Sequence, residues 1–260
     1  MTSLSIIIVS YNAVADLERC LESLHAAPPE VSHEIVVVDN RSTDGSATAV
    51  RRWPSVRLID AGSNVGFSRA NNIGIRATNG TSILLLNSDT IVPPGAIDRL
   101  MAALAQHREV AVVGPRLVDG SGRAELSFGR MISPFNELRQ KLYPQGAIER
   151  MTRRAGRPDW VSGACLLVLR ADAEAAGLLD ERYFMYDEDV DFCAAIRARG
   201  RGILFVPDVE VVHLRGRSAA TAPGATRAAY RQSQMAFYEK HHPAWVPLLR
   251  LYLRLRGQVS

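Results

Sequence analysis

Continuous apolar runs alternate with amphipathic segments along the first part of the chain. Runs without internal alternation are typical of strands that are buried on both faces of a parallel sheet. Five such strands are predicted at residues 4–9, 34–38, 55–59, 83–86 and 110–113. Helices are predicted between them at residues 16–26, 68–78 and 93–107, because apolar positions recur there at helical spacing. This order predicts an α/β fold with a parallel-dominated mixed sheet flanked by helices.

The second half of the chain has a less regular pattern. Residues 161–169, 203–206 and 209–214 are predicted as strands, and residues 120–159 as a loop-rich region that would set specificity. A helix is predicted at residues 187–199, which are acidic at their start and basic at their end, as the helix dipole favours. We expect one domain over residues 1–218 and a separate C-terminal segment over residues 219–260.

The composition fits one globular domain with a modest appendage. The 260 residues are 47% hydrophobic and 22% charged. Three widely spaced cysteines, Cys20, Cys165 and Cys193, lack metal-ligand spacing and are expected to be reduced and buried. No apolar run approaches the roughly 18 residues that span a bilayer, and no signal peptide is recognised. We therefore expect a cytoplasmic protein.

The net charge of +4 is distributed unevenly. From Arg215 to the end there are eight Lys and Arg residues and one acid, so this part carries +7 and the rest −3. Leucines and aromatic residues are mixed with these basic residues, which fits a membrane surface better than nucleic acid. Two interpretations of the segment 219–260 stay open, namely peripheral contact with a membrane and packing of a C-terminal helix on the domain.

Polar clusters follow the predicted strands. They lie at residues 10–12, 39–45 and 87–89, and open α/β sheets bind ligands at the carboxyl ends of their strands. The first cluster lacks the glycine-rich fingerprint of dinucleotide-binding proteins, and the sequence contains no P-loop.

Three features can carry chemistry. Asp89, directly after a strand, is able either to bind a divalent cation or to cap a turn. The acids of residues 187–191 exceed what a helix cap needs, so one of them is a candidate general base. His213 is either a structural histidine or part of a metal shell, and basic residues that suit phosphate follow it.

Six motifs occur in order along the chain: SIIIVSYN (5–12), VVDNRSTDGS (37–46), NVGFSRANNIG (64–74), LLLNSDT (84–90), VSGAC (161–165) and LLDERYFMYDEDVDFC (178–193). Together they resemble the motifs of family 2 glycosyltransferases, in particular the bacterial rhamnosyltransferase-like group. The resemblance covers residues 5–215 and implies the GT-A fold, with a nucleotide-sugar-binding half (1–115) and an acceptor and catalytic half (116–218).

The resemblance also implies roles for matching residues. Asp189 matches the catalytic base. Asp89 and His213 match the ligands of a divalent metal, Mg²⁺ or Mn²⁺, although Asn87 replaces the first acid of the family's D-x-D element. The donor site would comprise Ser10, Tyr11, Asn12, Asp39, Asn64, Gly66, Asn71, Asn87 and Asp89. The vicinity of the acceptor or diphosphate would comprise Trp160, Gly163, Glu188, Arg215 and Arg217. Core packing is an equal interpretation for Trp160 and Gly163.

These roles together imply an inverting, metal-dependent glycosyltransferase. Its donor would be a dTDP- or UDP-linked sugar, with rhamnose as a candidate. Its acceptor would be a glycan or lipid-linked glycan in cell-surface polysaccharide assembly, at the inner face of the cell membrane. Two alternatives stay open: a sugar-phosphate nucleotidyltransferase, whose phosphate loop is missing from this sequence, and a non-catalytic carbohydrate-binding protein of the same fold.

Overall fold

Strands and helices alternate through the first half of the chain, as the apolar pattern predicts. A computed structural model describes residues 2–214 and 223–255. The first half contains β1 (Leu4–Ser10), α1 (Val14–Ala26), β2 (His33–Asp39), α2 (Ser46–Val50), β3 (Val56–Asp60), α3 (Phe67–Arg76), β4 (Ser82–Asn87), β5 (Thr90–Ile91), α4 (Ala96–Gln106) and β6 (Val110–Val118).

Shorter elements make up the second half. They are β7 (Phe128–Gly129), α5 (Pro134–Lys141), α6 (Gln145–Met151), β8 (Trp160–Val161), β9 (Cys165–Leu169), α7 (Arg170–Ala175), α8 (Glu188–Ala198) and β10 (Gly202–His213). The C-terminal part contains α9 (Pro223–His241), a 3₁₀ turn (Pro243–Trp245) and α10 (Val246–Leu255).

One large sheet has the strand order β3-β2-β1-β4-β9-β6-β10-β5. Strands β1 to β4 pair in parallel, as do β6 and β10, whereas β9 runs antiparallel to both its neighbours and β5 to β10. Ile6 and Ile8 belong to the core on one face, and Ile7 and Val9 to the core on the other. Since both faces are covered, the strands need apolar residues at every position, which explains the continuous runs.

The structure corrects several predicted elements. Residues 161–169 form two strands rather than one, because β8 ends at Val161 and β9 begins at Cys165. The two strands predicted at 203–206 and 209–214 are the single strand β10, whose pairing with β6 shifts register between Val206 and Glu210. The region 120–159 contains the helices α5 and α6, and α6 buries none of its residues, so its amphipathic signal is weak.

Helix α9 packs against the domain. Phe237 and Tyr238 are buried in a cluster with Tyr183 and Val190, next to the start of α8. The three cysteines are buried and form no disulfide bonds, as expected. Within residues 2–214 and 223–255, no helix combines the length and the hydropathy needed to cross a bilayer.

Candidate functional site

Three neighbouring strands end in side chains with a buried, unsatisfied oxygen. The register places Ser10 of β1 beside Asp39 of β2, and Asn87 of β4 beside Val9. The Oγ of Ser10, the Oδ1 of Asp39 and the Oδ1 of Asn87 are buried and have no hydrogen-bond partner in the described part of the chain. Since buried polar atoms are normally satisfied, these three oxygens mark an edge of the sheet that suits a polar ligand.

The loops after β1 and β2 are joined into one wall. The Oδ1 of Asn12 accepts a hydrogen bond from the Thr43 N–H at 2.8 Å, and the Asn12 N–H donates to the Ser42 Oγ at 3.0 Å. The Ser42 N–H in turn donates to the Oδ2 of Asp39 at 3.1 Å. Tyr11 remains 47% exposed, so its ring is free to meet a ligand at this wall.

Asn64 and Gly66 shape the loop before α3. The Asn40 side chain donates to the Oδ1 of Asn64 at 2.9 Å and accepts from the Val65 N–H at 2.8 Å. Gly66 has φ +86°, and a Cβ atom there would lie 2.6 Å from the carbonyl oxygen of Phe184. Only glycine suits this position. The start of α3 is thereby held against the aromatic segment that precedes α8.

Asn71 and Ser68 both lie buried in α3, but their side chains differ in hydrogen bonding. The Nδ2 of Asn71 donates to the Phe67 carbonyl at 3.0 Å, one turn earlier in the same helix. The Oγ of Ser68, by contrast, is buried without a hydrogen-bond partner among the described residues. The sequence patterns single out Asn71 and not Ser68, because a serine in a helix carries no signal of its own.

Asp89 and His213 meet at the end of the sheet. Strand β5 pairs antiparallel with the end of β10, so that Thr90 faces His213. The Oδ1 of Asp89 lies 3.3 Å from the Nε2 of His213, and the Nδ2 of Asn87 lies 3.3 Å from the same nitrogen. The Leu214 N–H fixes this arrangement by donating to the Asp89 carbonyl at 2.8 Å.

Glu125 holds the other nitrogen of His213. Its Oε2 lies 3.0 Å from the His213 Nδ1, and both side chains are buried. Burial alone lowers the pKa of His213, but the hydrogen bonds with Asp89 and Glu125 outweigh it and raise this pKa to about 9. No sequence pattern identifies Glu125, because it lies in the irregular region and reaches His213 only through the fold.

The donor set around Asp89 fits a divalent cation that is shared with a ligand. Carboxylate oxygen suits Mg²⁺ and Mn²⁺, and an imidazole nitrogen favours Mn²⁺ over the harder Mg²⁺. Among the residues described, no group of three or more His, Cys, Asp or Glu side chains is arranged to hold an ion. A cation bound by Asp89 and His213 therefore needs further oxygens, which a diphosphate would supply.

Asp189 is tied to the same edge of the sheet through the break between β8 and β9. Its Oδ2 accepts from the Gly163 N–H at 2.8 Å, and its Oδ1 from the Val190 N–H at 2.8 Å. The next residue, Ala164, accepts the Asn87 N–H at 2.9 Å through its carbonyl. A continuous set of contacts therefore links Asp189 to Asn87 and His213.

Glu188 and Trp160 flank this centre in different ways. The Oε2 of Glu188 is buried without a hydrogen-bond partner in the described residues. Burial is the main cause that raises the pKa of Glu188 well above its ordinary value, and the charge of Asp189 is the second. Trp160 is half-buried against two core clusters, and its Nε1–H donates to the Arg130 carbonyl at 3.0 Å. Arg215 and Arg217 lie outside the described residues.

Known proteins resemble this chain in sequence. Residues 5–165 match the family model described as glycosyl transferase family 2. The N-acetylglucosaminyl-diphospho-decaprenol L-rhamnosyltransferase of Mycobacterium tuberculosis (strain ATCC 25618 / H37Rv) is 32% identical, over 98% of this chain and 92% of the relative. The dTDP-rhamnosyl transferase RfbF of Shigella flexneri is 27% identical, over 81% of this chain and 68% of the relative.

A solved structure identifies the fold. The mannosyltransferase PcManGT from Pyrobaculum calidifontis, in complex with GDP-Man and Mn²⁺, superposes with a TM-score of 0.67 at 20% identity. The superposition covers 95% of this chain and 68% of that one. The GT-A-type fold predicted from the sequence is confirmed.

Proposed function

The chain belongs to glycosyl transferase family 2, and from this premise we propose that it is an inverting, metal-dependent transferase acting on a lipid-linked glycan. The donor we propose is dTDP-rhamnose, in keeping with the names of the two rhamnosyltransferase relatives. The observation that carries the proposal is the set of contacts that joins Asp189, through Gly163 and Ala164, to the strand end bearing Asn87, Asp89 and His213.

The nucleotide would bind across the ends of β1, β2 and β4. The Oγ of Ser10 can donate or accept a hydrogen bond with a base or ribose, and the Oδ1 of Asp39 can accept one. Tyr11 can stack on the base. Asn64 and Gly66 would let the backbone before α3 approach the donor. This arrangement supports a nucleotide donor in general, and the preference for dTDP is an inference from the relatives.

The diphosphate would lie beside Asp89 and His213. A divalent cation held there would neutralise the charge that develops on the departing nucleoside diphosphate. Asp89 and His213 supply the chain's ligands, and Glu125 keeps the Nε2 of His213 turned toward Asp89. Arg215 and Arg217 follow in sequence and would add positive charge to the same group.

Asp189 would take the proton from the acceptor hydroxyl. The Gly163 and Val190 N–H groups hold its two oxygens, which orients the carboxylate. The acceptor oxygen would then attack the anomeric carbon directly, from the side opposite the diphosphate. One base and one displacement invert the configuration at that carbon. We place the reaction in cell-surface polysaccharide assembly, at the cytoplasmic face of the membrane.

Calorimetry tests the donor site. We expect dTDP, UDP and their sugar derivatives to bind more tightly with Mn²⁺ or Mg²⁺ than without it, and Asp89→Ala to abolish the metal-dependent part. Asp208→Ala, which removes an exposed carboxylate from β10, is the matched control and should bind normally. If the folded protein bound no nucleotide of the panel, the transferase proposal would fail.

A product assay tests the base. We expect Asp189→Asn to bind nucleotide normally but to transfer sugar about 10²- to 10⁴-fold more slowly, the usual contribution of a general base. NMR of the product of the unaltered protein should show inverted anomeric configuration. Retention of configuration, or full activity of Asp189→Asn, would remove Asp189 from the proposed role.

A further inference from the structure

Helix α10 has two apolar faces, whereas a helix that only covers a domain needs one. Val246, Leu249 and Leu253 form its inner face, at positions i, i+3 and i+7. Val246 and Leu253 are buried, and Val246 and Leu249 pack with Tyr183 and Val190 near the start of α8. The inner face therefore accounts for the attachment of α10 to the domain.

The outer face of α10 consists of Leu248, Leu251, Tyr252 and Leu255, at positions i, i+3, i+4 and i+7. These side chains point away from the inner face and are 44–80% exposed. The face continues into the 3₁₀ turn, where Trp245 meets the exposed ring of Phe135 edge-on, with ring centroids 5.9 Å apart. A group of exposed apolar side chains on one side of a protein indicates an interaction site.

The charged side chains of α10 itself are positive. Arg250 and Arg254 lie on one flank of α10, and this helix contains no acidic residue. Arg250 also pairs with Glu239 at 2.7 Å, while Arg254 is exposed. Two copies of this face would bring like charges together, whereas anionic lipid headgroups complement them.

We propose that the outer face of α10 docks on an anionic lipid bilayer, with its leucines in the acyl boundary and its arginines among the headgroups. Tyr252 and Trp245 would lie at the headgroup level, where such rings are enriched. This inference rests on the proposed function, because a lipid-linked acceptor presents its sugar at the bilayer surface.

The fold joins this surface to the catalytic end of the sheet. Ser233 of α9 donates a hydrogen bond to the Met185 carbonyl at 2.8 Å, and Lys240 contacts Asp191 on α8 at 2.8 Å. Asp191 lies two residues after Asp189, so α9 is attached beside the helix that carries the proposed base. The inner face of α10 packs on the same cluster, next to the start of α8.

Vesicle co-sedimentation with the full chain tests the proposal. We expect binding to vesicles of phosphatidylcholine with phosphatidylglycerol, and much weaker binding to phosphatidylcholine alone. The triple substitution of Leu248, Leu251 and Leu255 by Gln should lower the partition coefficient at least about 30-fold, because it removes most of the apolar contact. The same three positions changed to Met keep the face apolar and should retain binding.

A second pair of variants tests the charges. Arg250→Gln with Arg254→Gln should lower binding to the anionic vesicles about 30-fold, because each basic residue near such a surface contributes about fivefold. Arg51→Gln, at an exposed arginine after α2, should leave binding unchanged. Equal binding by the Gln triple and the unaltered chain would overturn the proposal.

Two further measurements on the same samples separate the possible failures. If the unaltered chain binds nucleotide but not vesicles, the docking surface is wrong while the proposed function stands. If it binds vesicles but no nucleotide, the proposed function is wrong. If light scattering shows a dimer that the Gln triple converts to a monomer, and neither protein binds vesicles, the outer face is a contact between two copies instead.

Discussion

At the scale of single residues, Glu188 is a buried carboxyl group whose Oε2 lacks a hydrogen-bond partner in the described residues. Burial and the neighbouring Asp189 raise its pKa in the folded protein above the ordinary value of 4.5. Below that value both the folded and the unfolded chain hold the proton. As the pH rises, the unfolded chain releases it more easily, so the free energy of unfolding falls toward the raised pKa of the folded state.

Glu188→Gln should therefore stabilise the protein at neutral and alkaline pH. We expect the Tm to rise by about 2–4 °C at pH 8, which corresponds to about 1 kcal/mol for a chain of this size, and to be unchanged at pH 4. Thermal unfolding across this range measures the difference. Glu22→Gln, at an exposed position of α1, serves as the control. A variant with the same pH dependence as the unaltered protein would show that the proton on Glu188 is not linked to folding.

Glu125 is a second single residue with a testable role, which it exerts through its contact with His213. Its carboxylate holds the Nδ1 of His213, and partners of this kind orient metal-binding histidines. We expect Glu125→Gln to weaken Mn²⁺ binding about tenfold or more in the presence of nucleoside diphosphate. Mn²⁺ binding followed by electron paramagnetic resonance measures this directly. Asp119→Asn, at an exposed turn that also precedes β7, is the control and should leave the Mn²⁺ affinity unchanged. If Glu125→Gln also left the Mn²⁺ affinity unchanged, Glu125 would not position His213.

At the scale of elements, the break between β8 and β9 brings Gly163 against the start of α8. A Cβ atom on Gly163 would lie 3.3 Å from the Cβ of Asp189, so Asp189 would have to shift by a few tenths of an ångström. We expect Gly163→Ala to lower the rate of transfer about tenfold with little change in Tm, because misplacing a reacting group costs rate steeply. Gly146→Ala in α6 meets open space and should leave the rate of transfer unchanged. Normal transfer by Gly163→Ala would mean that the contact does not position Asp189.

How much of the fold the sequence predicts also depends on the element. Strands such as β1 and β4 are visible because each is buried on both faces, so every position is apolar. Helix α6 buries no residue and gives no periodic signal. The same distinction holds at the site. Asp89 and Asp189 can be predicted because they lie in local sequence motifs. Glu125 and Ser68 cannot, because the contact of Glu125 with His213 and the burial of Ser68 exist only in the folded chain.

At the scale of the whole molecule, Asp191 joins the C-terminal helix α9 to α8. The carboxylate is buried and lies 2.8 Å from the Lys240 Nζ and 2.6 Å from the His241 Nε2, and the Tyr183 hydroxyl donates to it at 3.2 Å. Burial opposes the charged form, but the contacts with His241 and Lys240 outweigh it and lower the pKa of Asp191 below its ordinary 3.8. Its contribution to stability is thus present above that value and lost as the pH falls through the folded pKa.

Asp191→Ala should destabilise the protein by about 2–3 kcal/mol at pH 7, because it leaves the His241 ring and the buried Tyr183 hydroxyl without their acceptor. It also removes one of the two carboxylates that contact Lys240. Glu239→Gln breaks only the exposed pair with Arg250 and should cost less than about 1 kcal/mol. Denaturant unfolding gives both values. Nucleotide binding should survive in Asp191→Ala, since the strand ends keep their own contacts, while transfer falls because Asp189 lies on the same turn of α8. Equal stability of the two variants would mean that α9 is held by its apolar contacts alone. Loss of nucleotide binding would mean that α9 supports the strand ends as well as α8.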